Sequence, residues 1–260
     1  MNQLSDYFSL KNKVAVVTGV AQDISLQIAS ALRAAGANLA ILDEQEQGGQ
    51  TIARLLETQF GKARFWSLDV SDETAVKRMI ATVETHFGRI DILINSAGVN
   101  ADLLPGQGLS IAQWQRTIQL NVNGSILCSK HVVDAMERAG GGAIVNVLSL
   151  CGMSGSQQTS ADFAAKAALR MAYINARSYA ARNIRVNCIH PGLARPPVLE
   201  ATTHEEGDLP HTFMDMEQNH QPEHIGSNSD VAAGVLYLVS ETGRFITGNE
   251  LVIDSGATNQ

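Results

Sequence analysis

The sequence predicts an α/β fold: a single Rossmann-like domain on a doubly wound parallel sheet. Three observations carry this expectation. Strand-like and helix-like stretches alternate along most of the chain. The strands read as unbroken apolar runs, as strands covered on both faces do. And 260 residues, 45% hydrophobic and 17% charged, suffice for one large core but not for two. About seven strands are expected, with helices on both faces, and one lid-like insertion over about 194–228.

The elements follow in order. Lys13–Gly19 (KVAVVTG) is a short buried strand ending in a turn. A helix comes next, with Ile24, Ile28, Ala31, Leu32 and Ala35 on one face and Gly36 as its stop. Ala37–Asp43 is the second strand, Gln45–Phe60 a helix and Ala63–Val70 the third strand. Ser71 opens an amphipathic helix that ends near Gly88. Asp91–Gly98 is the fourth strand. Ser110 and Gln113 form a capping box for a helix reaching about Ala139. Gly142–Ser149 is the fifth strand, Ser160–Arg182 a long Ala-rich helix and Asn183–Gly192 the sixth strand. Asp230–Ser240 is a helix, and Asn249–Asp254 the last strand.

Residues 194–228 break the rhythm. This stretch holds Pro196, Pro197, Pro210 and Pro222, seven acids and four histidines. A solvated lid is expected there. Pro222 lies inside HQPEH, so no helical pair of histidine ligands forms and no metal site is expected. The formal net charge of −7 argues against nucleic acid and anionic membrane surfaces as partners. No apolar run reaches membrane-span length. The three cysteines are scattered, without metal or disulfide spacing. A reduced, cytoplasmic protein is the expectation.

Several short motifs recur in one order. They are Thr18-Gly19, Asp43 ending the second strand, Leu68–Val70, NSAG at Asn95–Gly98, Asn121, Ser149, Lys166, His190-Pro191-Gly192, and ITGNELVIDSG near the end. In that order and spacing the whole chain resembles the classical short-chain dehydrogenase/reductase family. The resemblance implies a dinucleotide cleft at the carboxyl ends of the strands. Gly19, Asp43, Asp69 and Asn95 fall at the family's cofactor positions. Asp43 suits a ribose diol and repels a 2′-phosphate, so NAD is favoured over NADP. Asp69 would lie near adenine, or cap the next helix.

The resemblance also exposes departures. The family's first turn reads T-G-x-x-x-G-x-G; here Asp23 and Ser25 replace its second and third glycines. Asp23 is expected to take the helix N–H groups with its own carboxylate and to oppose a pyrophosphate. At about 4 Å and an effective dielectric near 20, such a charge pair is worth about 4 kcal/mol. The other outcome is that the turn reshapes and NAD still binds. In the family Ser, Tyr, Lys and Asn carry the reaction. Ser149, Lys166 and Asn121 match, but the Tyr position, thirteen residues after Ser149, is Asp162. A carboxyl with an ordinary pKa near 3.9 is ionised at neutral pH and is a poor acid or base for this chemistry. An i,i+4 pair with Lys166 is its simpler role. The family's nicotinamide-amide Thr is also missing after Gly192, where Arg195 follows.

These departures lead to the expectation of a catalytically silent subunit that binds no cofactor itself. Its partner would be an active, similar chain, an NAD-dependent alcohol or hydroxyacyl-CoA dehydrogenase. Contact is expected through the helices at about 111–138 and 160–182 and the C-terminal helix and strand. The alternatives are an active NAD-dependent oxidoreductase with aberrant motifs, and a non-catalytic small-ligand sensor.

Overall fold

A computed structural model describes residues 6–20, 23–57, 61–98, 110–150, 160–192, 194–195, 226–256 and 258. The strands are β1 (Val14–Thr18), β2 (Asn38–Asp43), β3 (Ala63–Ser67), β4 (Ile92–Asn95), β5 (Gly142–Val147), β6 (Ile184–Pro191) and β7 (Glu250–Ile253). They form one parallel sheet in the order β3-β2-β1-β4-β5-β6-β7. The chain reverses its direction of travel across the sheet between β1 and β4. That is the point where folds of this class open a crevice.

The helices are α1 (Asp23–Ala34), α2 (Glu46–Leu56), α3 (Glu73–Phe87), α4 (Ile111–Thr117), α5 (Gly124–Arg138), α6 (Ser160–Ala168), α7 (Ala172–Tyr179) and α8 (Asn228–Val239). Alternate strand residues feed two cores. Val14, Val16, Leu42, Leu93 and Ile144 pack with Ile80, Val132, Met136 and Leu169 on one face. Ala15, Val17, Ile41, Ile94 and Val145 pack with Ile28, Leu32, Val235 and Leu238 on the other. Strands apolar at every position are what this double covering requires.

Local chemistry sets the helix ends. Asp72, not Ser71, caps α3: its carboxylate accepts from the Thr74 and Ala75 amides at 2.9 and 3.1 Å. Gly88 closes that helix at φ 83°, in the left-handed region. The Ser110–Gln113 box forms as read. A second capping box, Ser227 with Asp230, starts α8 two residues before the expected Asp230.

Two long helices need correction. The expected helix over 160–182 is α6, a 3-10 turn at Leu169–Met171, α7, and a 3-10 turn at Ala180–Arg182. The expected helix over 111–138 is α4, a π-helical turn at Ile118–Asn123, and α5. Apolar periodicity continues through both, so the interruptions leave no mark in the pattern. The buried alanines Ala161, Ala165, Ala172 and Ala176 face this chain's own core. The outward face carries Phe163, Tyr173 and Ile174 instead, with Tyr173 70% exposed.

The insertion is described only at its ends. Ala194–Arg195 pairs in parallel with Gly226–Ser227, so the insertion leaves and rejoins the domain at one place beyond β6. Its histidines and acids lie outside the described residues. Among the described residues no cluster could hold a metal ion, and no helix is long and apolar enough to cross a membrane.

At the opposite, amino end of the sheet, Asp91 is 4% exposed. It accepts from the Val14 amide at 3.0 Å, from Lys13 at 3.2 Å and from Arg89 through both oxygens. Removing this carboxylate strands a buried N–H. Asp91→Ala should therefore lower the free energy of unfolding by about 2–3 kcal/mol in a denaturant titration. A loss under about 0.5 kcal/mol, the range of an ordinary surface change, would contradict this account.

Candidate active site

The crevice begins where β1 ends. The Thr18 hydroxyl donates to the Ile94 carbonyl at 3.3 Å and accepts the Ser96 and Ala97 amides at 3.1 and 3.0 Å. The Gly19 amide reaches across to the Leu42 carbonyl at 2.9 Å. Three strand ends are thus drawn together. Gly19 sits at φ 72°, and a Cβ there would lie 2.4 Å from Ala97 Cα. Only glycine fits, for its conformation and for lack of room.

The two lost glycines have different fates. Ser25 is fully buried, and its hydroxyl meets that of Ser96 at 2.7 Å. It therefore joins α1 to the end of β4 where a glycine would give close contact. Asp23 is the first residue of α1 and is exposed. Ala21 and Gln22 lie outside the described residues.

Beside Gly19 is a cleft of about 120 Å³, lined among others by Asp43, Glu44, Leu68, Gly98, Arg116 and Leu120. Asp43 is buried at the tip of β2 and accepts the Gln45 amide at 2.8 Å. Asp69 accepts the Ser71 amide and hydroxyl at 2.8 and 2.7 Å, so it shapes the turn before α3 and leaves the cap to Asp72. Burial pulls the Asp69 carboxyl upward, but the Ser71 hydrogen bonds, a bond shared with Glu44 and the charge of Arg116 hold it below its ordinary value. Glu44 is raised, first by burial and then by the neighbouring charge of Asp69. Arg116 reaches Glu44 at 3.8 Å. Sequence reading missed Glu44 and Arg116; adjacency to Asp43 would have found the first, and nothing in spacing points to the second.

Asn95 serves the frame. It is buried, and its Nδ2 donates to the Ser125 carbonyl, the Ser129 hydroxyl and Asn146 Oδ1 at 3.3, 2.9 and 2.9 Å. This carboxamide pins β4 to β5 and α5, and the structure gives it no place lining the cleft.

Asn121 lies inside the π-helical turn and is buried. Its carbonyl accepts the Ser125 hydroxyl at 2.9 Å. A Cβ on Gly98 would stand 2.6 Å from Asn121 Oδ1, so Gly98 makes room for the carboxamide. π turns are rare and concentrate at functional sites. α6 packs against this same turn and carries Lys166, half-buried, with Asp162 one helical turn earlier. The Asp162 side chain lies outside the described residues, as does that of Arg195.

Ser149 follows β5 and is half-buried. Its neighbours hydrogen-bond β6: Leu148 N to Ile189 O at 2.9 Å and Leu150 N to Pro191 O at 3.2 Å. Asn121 thus abuts the crevice wall at Gly98, the helix bearing Lys166 packs on its turn, and Ser149 stands at the carboxyl end of β5. The buried Cys128 and Cys188 thiols are each pushed up to about 12 by burial and offer no nucleophile.

The described residues fit a dinucleotide at its adenosine half. The Gly19 turn is bare backbone against Ala97, and Asp43 stands at the cleft wall. Ser25 is absorbed into the packing and occupies no cleft. Asp23 remains as a charge at the mouth of α1.

Comparison with known proteins agrees with this geometry. A family profile described as "Enoyl-(Acyl carrier protein) reductase" matches residues 19–258. A D-threitol dehydrogenase from Mycolicibacterium smegmatis is 36% identical over 96% of this chain and 95% of its own. A cis-4-hydroxycyclohexanecarboxylate dehydrogenase from Sinomonas cyclohexanicum is 34% identical over 95% and 96%. A cyclopentanol dehydrogenase from a Comamonas species is 34% identical over 96% and 98%. Among solved structures, a chain provisionally assigned as a short-chain alcohol dehydrogenase from Sinorhizobium meliloti superposes with a TM-score of 0.87 at 29% identity, covering 98% of this chain and 99% of that one.

The first turn makes a direct prediction. Gly19 and Gly88 share positive φ, but only Gly19 has backbone within reach of a Cβ among the described residues. Left-handed strain costs either alanine variant about 1–2 kcal/mol. Gly19→Ala should lose clearly more than Gly88→Ala in thermal unfolding. Equal losses would mean that the turn is looser than described.

Proposed function

The chain belongs to the short-chain dehydrogenase/reductase family, and from that premise we propose that it is an NAD-linked oxidoreductase acting on a secondary alcohol of a small ring or polyol. The observation that carries this reading is the π-helical turn around Asn121, built against Gly98 and packed by the helix that bears Lys166. An interrupted helix is a costly feature for a chain with no use for the cleft. The alcohol dehydrogenases named above, similar along nearly the whole chain, support the substrate class.

NAD, when bound, supplies the hydride acceptor. Asp43 would accept hydrogen bonds from ribose hydroxyls, and the bare Gly19 turn would admit the diphosphate. Lys166 would hold the second ribose. The Ser149 hydroxyl would donate to the substrate oxygen, and Asn121 would anchor water beside it. Asp162 stands where the resembled enzymes carry Tyr. In this reading its carboxylate accepts the alcohol proton, and its low basicity makes the step slow.

A second reading is favoured by Asp162 and Asp23 themselves. Two carboxylates at positions that serve proton transfer and pyrophosphate fit a silent subunit beside an active paralogue. Contact would then run through the outward Phe163, Tyr173 and Ile174 of α6 and α7, and through Tyr237 and Phe245 near the C-terminus, all exposed in this chain.

One experiment separates the readings. The purified chain and Asp162→Tyr are assayed for NADH formation from NAD with cyclopentanol, cyclohexanol and D-threitol. The first reading expects slow turnover by the native chain and a gain of about 100-fold or more in the variant, the scale of a positioned acid–base group. No turnover by either chain, with activity only in Asp23→Gly/Asp162→Tyr or in a co-purified complex with an active paralogue, would replace it with the second.

A further inference from the structure

His190 belongs to the HPG motif at the end of β6, and no step above uses it. It is fully buried, 0% exposed. Its Nδ1 lies 3.2 Å from the Ser149 carbonyl. Its Nε2 has no hydrogen-bond partner among the described residues and faces Glu250 Oε2 of β7 at 3.5 Å. That carboxylate is gripped by Arg170 Nε, at 2.9 and 3.0 Å to its two oxygens. Arg170 stands four residues beyond Lys166, in the 3-10 turn that continues α6.

We propose that His190 is a positioning residue for the site: its Nδ1–H holds the Ser149 carbonyl, and its other edge rests on the Glu250–Arg170 pair that ties the Lys166 helix to the sheet. This deepens the dehydrogenase reading and rests on it for its kinetic consequence.

The Ser149 segment is bound to β6 on both sides of Ser149. Backbone hydrogen bonds at Leu148 and Leu150 flank Ser149, and the imidazole takes the carbonyl between them. Ser149 lies between two successive rungs of the ladder just beyond the end of β5, and the imidazole adds a side-chain contact to its carbonyl. The tautomer follows from the partners. A neutral imidazole has one N–H and both neighbours can only accept; the Ser149 carbonyl lies within hydrogen-bond reach at 3.2 Å, whereas the Glu250 carboxylate, at 3.5 Å, is taken up by Arg170, so the proton sits on Nδ1. Burial lowers the proton affinity of the ring and keeps it neutral, although the Ser149 carbonyl and Glu250 pull the other way. Arg170 draws the Glu250 charge from the Nε2 lone pair, which permits that carboxylate to sit so close. The same Glu250 joins Arg170 to β7, so the supports of Ser149 and of the Lys166 helix meet at one side chain.

The test exploits the two ring nitrogens. His190→Asn retains an N–H donor near the place of Nδ1. His190→Gln carries one near Nε2 instead, and His190→Leu carries none. Amide hydrogen exchange at Leu150 should stay within about threefold of the native chain in the Asn variant. It should rise about tenfold or more in the Gln and Leu variants. With NAD and cyclopentanol, kcat should follow the same order while the KM for NAD changes little. In the native chain, nitrogen NMR of the imidazole should report a protonated Nδ1 and a bare Nε2. Equal exchange in the Asn and Gln variants, or a proton on Nε2 alone, would overturn the proposal. If the native chain turns nothing over, the dehydrogenase reading fails by itself, and exchange and NMR still decide the role of His190.

Discussion

The architecture depends on the join between the ends of β1 and β4. One hydroxyl, that of Thr18, satisfies a carbonyl and two amides there, and Gly19 passes within van der Waals limits of Ala97. Backbone groups at strand ends inside a doubly covered sheet have few routes to water, so each needs a protein partner. Thr18 supplies those partners and sets where the chain may open. The crevice, the tip of β2 with Asp43, and the NSAG segment all take their places from this join.

Around it, the frame and the chemistry have been treated differently by the sequence. Frame positions hold their neighbours through several hydrogen bonds each. The Asn95 Nδ2 group lies within reach of three acceptors on β5 and α5, Asp91 gathers an amide and two cations, and Ser25 turns a lost glycine into a buried hydroxyl pair. Chemical positions depart from the family, most sharply at Asp162. The physical consequence is confined to the proton: a carboxylate in place of a phenol shifts basicity by several pKa units. It leaves the apolar walls, the π turn and the Ser149 support standing. This division leaves the functional question at two carboxylates, Asp162 for proton transfer and Asp23 for the pyrophosphate.

The first-turn substitutions show how far residue identity alone can mislead. At the level of sequence, Asp23 and Ser25 count equally as missing glycines. In the fold, Ser25 points into the packing and meets Ser96, whereas Asp23 stays at the exposed start of α1. The alanines of the 160–182 stretch show the same limit. The Ala-rich pattern does not say which way it faces: Ala161, Ala165, Ala172 and Ala176 pack inward, and the outward face is aromatic and aliphatic. Small side chains permit close approach but do not say which neighbour approaches.

What the sequence determined by itself was the alternation of elements, the apolar strands and the motif order, because these depend on local periodicity and on residue types at strand ends. Thr18, Asp43, Ser149 and Lys166 could be placed from their positions relative to predicted strands. The tertiary structure alone decided the π turn at Asn121, the break after Ala168, the inward use of Asn95 and the meeting of His190 with Ser149, Glu250 and Arg170. Each of these joins residues from separate elements or alters a helix without altering its apolar repeat. Spacing along one chain carries no record of which side chains a closed sheet will bring into contact.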